Sequence, residues 1–213
     1  LRKEAVEKGI VTLEEIPTVA RQYGSQRPFA DKISVWQGDI TRLQAGAIVN
    51  AANSQMLGCF HPCHGCIDNA IHSGAGIQLR EACNEYMNQR KSQYGKDYEE
   101  PTGQAVLTEA YNLPAEYVVH TVGPIVYGRL TEELKNDLRS CYENILKCCA
   151  EHGIRSVAFC CISTGEFRFP NEEAAIIAVS EVRKFLEEHE TDFDRIIFNV
   201  FKDVDRELYK QLV

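Results

Sequence analysis

The sequence predicts an α/β layer fold in which helices cover both faces of one sheet. Two observations carry that prediction. Short apolar runs of strand length alternate with stretches of helical period, and polar or glycine-containing segments follow the strand ends. The 213 residues, 44% apolar and 25% charged, suffice for a single domain that buries a core without disulfide staples.

Residues 1–24 read as helical, followed by a Pro/Ser-containing connector to about Ala30. A strand spans Ile33 to Gln37 and ends in Gly38-Asp39. A second apolar run, Ala47 to Ala52, is short enough to be a buried strand and leads into Asn53. Helical patterning holds from Asp68 to about Tyr94, interrupted at Ser73-Gly74-Ala75-Gly76. Two β-rich runs, Gln104 to Tyr111 and Tyr117 to Val122, flank a turn at Asn112-Leu113-Pro114. Leu134, Leu138, Cys141, Ile145 and Cys148 form one helical stripe, with Gly153 as its stop. Val157 to Ile162 reads as a buried strand opening into Ser163-Thr164-Gly165-Glu166-Phe167. Pro170 starts a helix whose apolar face is Ala175, Ile176, Val179, Val182 and Leu186. A last strand, Ile196 to Phe201, precedes a short helix from Asp203 to Leu212.

In open α/β sheets ligands bind outside the carboxyl ends of the strands. The site is therefore expected where Gly38 to Thr41, Asn50 to Asn53, Ser163 to Phe167 and the stretch after Phe201 converge. A formal net charge of −8 without a Lys/Arg run argues against a protein that wraps nucleic-acid backbone, so an anionic ligand must be held by local donors. No apolar run approaches the ~18 residues of a membrane span, and LRKEAVEKG lacks a signal-peptide core. Nine cysteines, including the adjacent pairs Cys148-Cys149 and Cys160-Cys161, do not look like a secreted disulfide framework. A cytoplasmic protein with reduced thiols is expected.

Between Gly58 and His72 the chain reads GCFHPCHGCIDNAIH, directly after Asn50-Ala51-Ala52-Asn53. Cys59, His64 and Cys66 form a C-x4-H-x-C pattern, with His61 and Cys63 as further candidates. Thiolate and imidazole are the ligands zinc prefers, and a compact loop supplies several at little closure entropy. Three protein ligands would leave a catalytic open position, whereas a fourth from Cys63 or His61 would make the site structural. Spacing alone does not separate the two.

Ser163 to Phe167 lies between a strand and a helix, where glycine lets backbone N–H groups approach a phosphate. Asp39 either accepts from an adenine amino group or caps the turn that follows. Asn53 offers a donor and an acceptor to sugar hydroxyls, or closes an Asx-turn. Asp68 either caps the helix it opens or serves as a general base or ribose anchor.

Taken together, GDIT (Gly38 to Thr41), NAAN (Asn50 to Asn53), IDNAIH (Ile67 to His72), VVHTVGP (Val118 to Pro124) and ISTGEFRFP (Ile162 to Pro170) resemble the successive signatures of the macrodomain family. The resemblance covers the chain from about Ile33 onward. It implies a three-layer α/β/α sandwich around a mixed six-stranded sheet, with ADP-ribose as ligand. Where the family commonly carries glycines after NAAN, this chain has CFHPCHGC. That departure resembles the zinc-dependent macrodomain class, microbial protein-ADP-ribose hydrolases. By this resemblance Cys59, His64 and Cys66 hold Zn2+, residues 1–30 form a helical extension, and residues 31–213 form the macrodomain.

The same resemblance assigns Asp39 to the adenine amino group, Ile40 and Phe201 to the neighbourhood of the base, and Ser163, Thr164, Gly165, Glu166 and Phe167 to the diphosphate loop. Asn53 falls at the distal ribose and Asp68 at the acidic position of hydrolytic macrodomains. Asn69 and Arg168 stand where glycine is usual. The implied reaction is hydrolysis of mono-ADP-ribose from modified protein side chains at the distal ribose C1″. The alternatives are an ADP-ribose reader with structural zinc and an O-acetyl-ADP-ribose deacetylase.

Overall fold

Six strands build one mixed sheet: β2 (Ile33–Gln37), β4 (Ala47–Ala52), β5 (Val106–Glu109), β6 (Tyr117–Val122), β7 (Ser156–Phe159) and β8 (Arg195–Val200). The computed structural model describes residues 9–61 and 65–213. Strand order is β2-β8-β7-β4-β6-β5, and all neighbours are parallel except the β5-β6 pair. A separate parallel pair joins β1 (Val11–Thr12) to β3 (Leu43–Gln44).

Period-2 alternation explains why the sheet is covered on both faces. In β4, Ala47 and Val49 enter one core cluster and Ile48 the other; in β8, Ile196, Phe198 and Val200 face the first and Ile197 the second. The first face is packed by α1 (Val19–Tyr23), α4 (Glu132–Glu151), α5 (Asn171–His189) and α6 (Asp203–Leu212). On the second face lie α2 (Ile67–Ala75) and α3 (Ile77–Tyr94), through Ile71, Ala75, Leu79 and Cys83. The result is the expected three-layer sandwich. The break expected at Ser73 to Gly76 is real: Gly76, at φ 90°, separates α2 from α3.

Several sequence expectations need correction. Of residues 1–24, those described from Gly9 onward are not one helix: β1 and a 3-10 turn precede α1, which is only five residues long. Val11 and Thr12 extend to pair with β3, and Pro17 separates the turn from α1. The Arg195 guanidinium fastens this segment by donating to the Ile16 carbonyl at 2.6 Å.

The α4 stripe runs through Cys149, which is buried, while Cys148 sits at its half-buried edge. In α5, Ile176 is 44% exposed, because Ala174, Ala175, Ile177, Ala178 and Val179 already form the inner face. Ile176 lies about 200° around the helix from Ala178. Strand β7 stops at Phe159 rather than Ile162. No helix among the described residues is long and apolar enough to cross a membrane.

Candidate active site

Because β2, β4, β6, β7 and β8 run parallel, their carboxyl ends meet at one edge. A cleft of about 1030 Å³ opens there, lined by Asp39 and Ile40 after β2, Asn53 after β4, Gly123 after β6, Ser163 to Phe167 after β7 and Phe201 after β8. Cys59, His61, Cys66 and Asp68 line it too. Every site residue expected from sequence therefore borders one space, apart from His64, which with Cys63 lies outside the described residues.

At one end, Asp39 caps a 3-10 turn: its Oδ1 accepts from the Thr41 backbone N–H at 3.0 Å and from Thr41 Oγ1 at 2.6 Å. Ile40 is 2% exposed and closes the cleft floor against the second core cluster. Asn199, reaching across from β8, donates through Nδ2 to the carbonyls of Gly38 at 3.0 Å and Trp36 at 3.3 Å. Phe201, beyond the last strand, is 82% exposed.

Backbone geometry shapes the loop after β7. Ser163 sits in the left-handed region at φ 65°, its carbonyl accepts from the Phe169 N–H at 2.9 Å, and Arg168 adopts φ 58°. Arg168 thus holds, as a non-glycine residue, a conformation that favours glycine, the residue the macrodomain resemblance leads one to expect there. The Phe167 carbonyl accepts from the Val126 N–H at 2.9 Å, tying this loop to the one after β6. A Cβ on Gly165 would meet nothing within 4 Å, so the loop presents bare backbone to the cleft. Ser163 Oγ is buried without a hydrogen-bond partner. Its neighbour Gly123 has no room for a side chain: a Cβ there would lie 2.0 Å from that oxygen.

The opposite end carries the acid and the thiols. Asn53 does close an Asx-turn, accepting at Oδ1 from the Gln55 N–H at 3.0 Å and donating through Nδ2 to the Gly58 carbonyl at 3.3 Å. Each amide atom keeps one further hydrogen-bonding valence. Asp68, in the first turn of α2, is only 5% exposed. Burial pushes its carboxyl above the usual range, opposed by the Asn50 hydrogen bond and by the Arg80 charge.

Asn50 Nδ2 donates to Asp68 Oδ1 at 2.8 Å and lies 3.1 Å from His120 Nδ1, a contact set by the Asn50-His120 register of β4 on β6. Burial holds His72 at about 4 and His120 at about 3, so both imidazoles are neutral and the 3.5 Å approach of His72 Nε2 to Asp68 is not an ion pair. Cys66 caps α2, its sulfur accepting from the Asn69 N–H at 3.4 Å. Burial pushes this thiol up, Asn69 pulls it down, and a hydrogen bond with the Cys59 side chain pushes it further up. That bond places the two expected zinc-binding sulfurs in contact. Deeper, His72, Cys83 and His120 bring ligand atoms within 4.8 Å of one another, a second group of metal-binding type.

Sequence reasoning did not assign site roles to Asn50, His120, Gly123 or Asn199. The one available signal was a polar residue interrupting an otherwise apolar strand, as Asn50, His120 and Asn199 each do.

A profile of the Macro domain family matches residues 49–178. A protein-ADP-ribose hydrolase of Treponema medium is 50% identical over 179 residues, 84% of this chain and 66% of that protein. ADP-ribose glycohydrolase MACROD1 of Mus musculus is 42% identical over 204 residues, 96% of this chain and 57% of that protein. The chain thus spans somewhat less than two thirds of the length of these curated relatives. Among solved structures, the Trypanosoma brucei macrodomain in complex with ADP-ribose matches with a TM-score of 0.77 at 37% identity, over 95% of this chain and 76% of that one.

Proposed function

The chain belongs to the Macro domain family, and on that premise we propose that it hydrolyses mono-ADP-ribose from modified protein side chains, releasing ADP-ribose. The observation that carries this reading is the meeting, in one cleft, of a loop suited to a diphosphate with a buried carboxylate and a contacting thiol pair. Its names come from the relatives, which are called protein-ADP-ribose hydrolase and ADP-ribose glycohydrolase.

Adenosine binds at the Asp39 end, where the second carboxylate oxygen accepts from the adenine amino group while Ile40 and Phe201 flank the base. The loop from Ser163 through Thr164, Gly165 and Glu166 to Phe167 holds the diphosphate. Ser163 Oγ supplies a buried donor that has no other partner, and backbone N–H groups share the charge. Phe167 packs on the distal ribose, whose hydroxyls take the remaining valences of Asn53.

Cleavage at C1″ develops oxocarbenium character, so the residues around it must orient a water and hold the sugar distorted. Asp68, fixed by Asn50, orients that water and the ribose. Contacts at the adenosine end supply the binding energy for the distortion.

The thiol contact fits a Zn2+ ion held by Cys59, Cys66 and His64. The chemistry such an ion supplies is Lewis acidity towards a sugar oxygen or a water. Reduced thiols and a cytoplasmic location go with this reading, as does a division into an extension at residues 1–30 and a binding domain at 31–213.

The test is release of free ADP-ribose from a mono-ADP-ribosylated protein, with and without a chelator. Cys66→Ala should abolish release while ADP-ribose affinity stays within about tenfold. A folded Cys66→Ala variant with normal turnover would remove zinc from the chemistry. Binding without release under every condition would make the chain a reader.

A further inference from the structure

We propose that His72, Cys83 and His120 form a second metal site, for a thiophilic divalent cation such as Zn2+, buried beneath Asp68 and separate from the Cys59-Cys66 loop. Three elements converge on it: α2 brings His72, α3 brings Cys83 and β6 brings His120, with exposures of 4%, 0% and 0%. Two imidazoles and a thiolate are a donor set that favours zinc over magnesium or calcium.

The spacing suits an ion. Cys83 Sγ lies 3.8 Å from His120 Nε2, and all three ligand atoms fall within 4.8 Å of one another. Bonds of about 2.0–2.3 Å around one zinc place two nitrogens and a sulfur roughly 3.3–3.6 Å apart, so an inward rotation of the rings completes the site.

His72 supplies an independent observation. Its side chain is 2% exposed, yet neither ring nitrogen has a hydrogen-bond partner. Burying an unsatisfied polar group costs about 1–3 kcal/mol, and a cation would satisfy it. With Nδ1 on the metal, Nε2 carries the proton and faces Asp68 Oδ1 at 3.5 Å, the carboxylate-histidine-metal arrangement that orients ligating histidines.

Charge also closes. Binding releases the Cys83 proton to solvent, and the thiolate together with the Asp68 carboxylate neutralises a divalent ion in the dry interior. Ligation through His120 Nε2 displaces that atom's 2.9 Å contact with Thr108 Oγ1, whose hydroxyl keeps the Val118 carbonyl at 3.5 Å, and moves the ring's proton to Nδ1. Asn50 can then turn its amide so that Oδ1, which lacks a partner, accepts it. Asp68 thereby loses the Asn50 N–H, so occupation of this site and catalysis by Asp68 are coupled.

The experiment uses the full chain, stripped of metal under reducing conditions and titrated with Co2+ and Zn2+. The Cys59→Ser/Cys66→Ser variant should still bind one equivalent, with a thiolate-to-cobalt charge-transfer band and a raised melting temperature in Zn2+. Adding Cys83→Val, a small apolar replacement for a buried thiol, should abolish the band and the shift while the variant remains folded by circular dichroism. Loss of all metal binding in the Cys59→Ser/Cys66→Ser variant would overturn the proposal. So would an unchanged stoichiometry after Cys83→Val, which would point to other thiols.

Discussion

Gly123→Ala should cripple the diphosphate loop although Gly123 itself supplies no group proposed to contact ligand. The added methyl would lie 2.0 Å from Ser163 Oγ, 2.9 Å from Ile162 Cγ2 and 3.4 Å from Ser163 Cβ. Rotating the serine hydroxyl relieves the first contact, but Ile162 is 0% exposed and has nowhere to go. The loop must therefore move, and overpacking of this kind costs about 1–3 kcal/mol. If that strain falls on the bound geometry, ADP-ribose affinity drops roughly 5- to 150-fold, at about 1.4 kcal/mol per tenfold. Isothermal titration of ADP-ribose, with a thermal melt as folding control, reads the effect. Gly123→Ala/Ser163→Ala removes the closest contact and should recover part of the loss despite surrendering the serine donor. Wild-type affinity in Gly123→Ala would refute the claim that close approach of these two loops shapes the site.

Two further predictions concern stability. Arg168→Gly relieves a left-handed conformation that costs a non-glycine residue about 1–2 kcal/mol; Tm should rise by roughly 2–8 °C, and an unchanged or lower Tm would count against strain at this position. In the metal-free protein, His72 and His120 have folded values of about 4 and about 3, below the ordinary 6.5. Their contribution is complete above the unfolded pKa and is lost as pH falls towards the folded values, because the unfolded chain binds the extra protons. Between pH 7 and pH 5 each should cost about 2 kcal/mol of unfolding free energy, measured by urea titration, and a flat profile would show that these imidazoles are not held neutral.

The layered fold was legible because strands and helices bury different periodicities, and β4 and β8 divide their apolar residues between two cores as alternation requires. Ile176 and Cys148 misled because an apolar residue at the margin of a helical stripe looks the same in sequence whether or not a neighbour covers it. The site was legible in its loops, where Asp39, Asn53 and Ser163 to Phe167 sit at strand ends. Asn50 and His120 were harder to read. Their partnership is a matter of register between β4 and β6, which periodicity does not reveal. Gly123 was invisible for a similar reason: its requirement comes from Ser163, forty residues away in the chain.

The two ends of the cleft differ in how they are held, and that difference bears on catalysis. At the adenosine end, Asp39, Phe201 and the Gly165-Glu166 tip of the diphosphate loop are exposed. The Asp68 end rests on buried groups carried by regular structure: Asn50 at 0% exposure in a central strand, His120 at 0% beside it, and Cys66 capping the same helix turn that carries the carboxylate. A carboxylate buried with a fixed donor keeps its geometry when substrate arrives, so little reorganisation is left for the reacting step. Contacts at the far, exposed end can then draw the ribose onto this buried point. Substitutions in the Ser163 to Phe167 loop accordingly bear on binding, whereas loss of the Asn50 donor bears on turnover, since it frees Asp68 while leaving the nucleotide contacts in place.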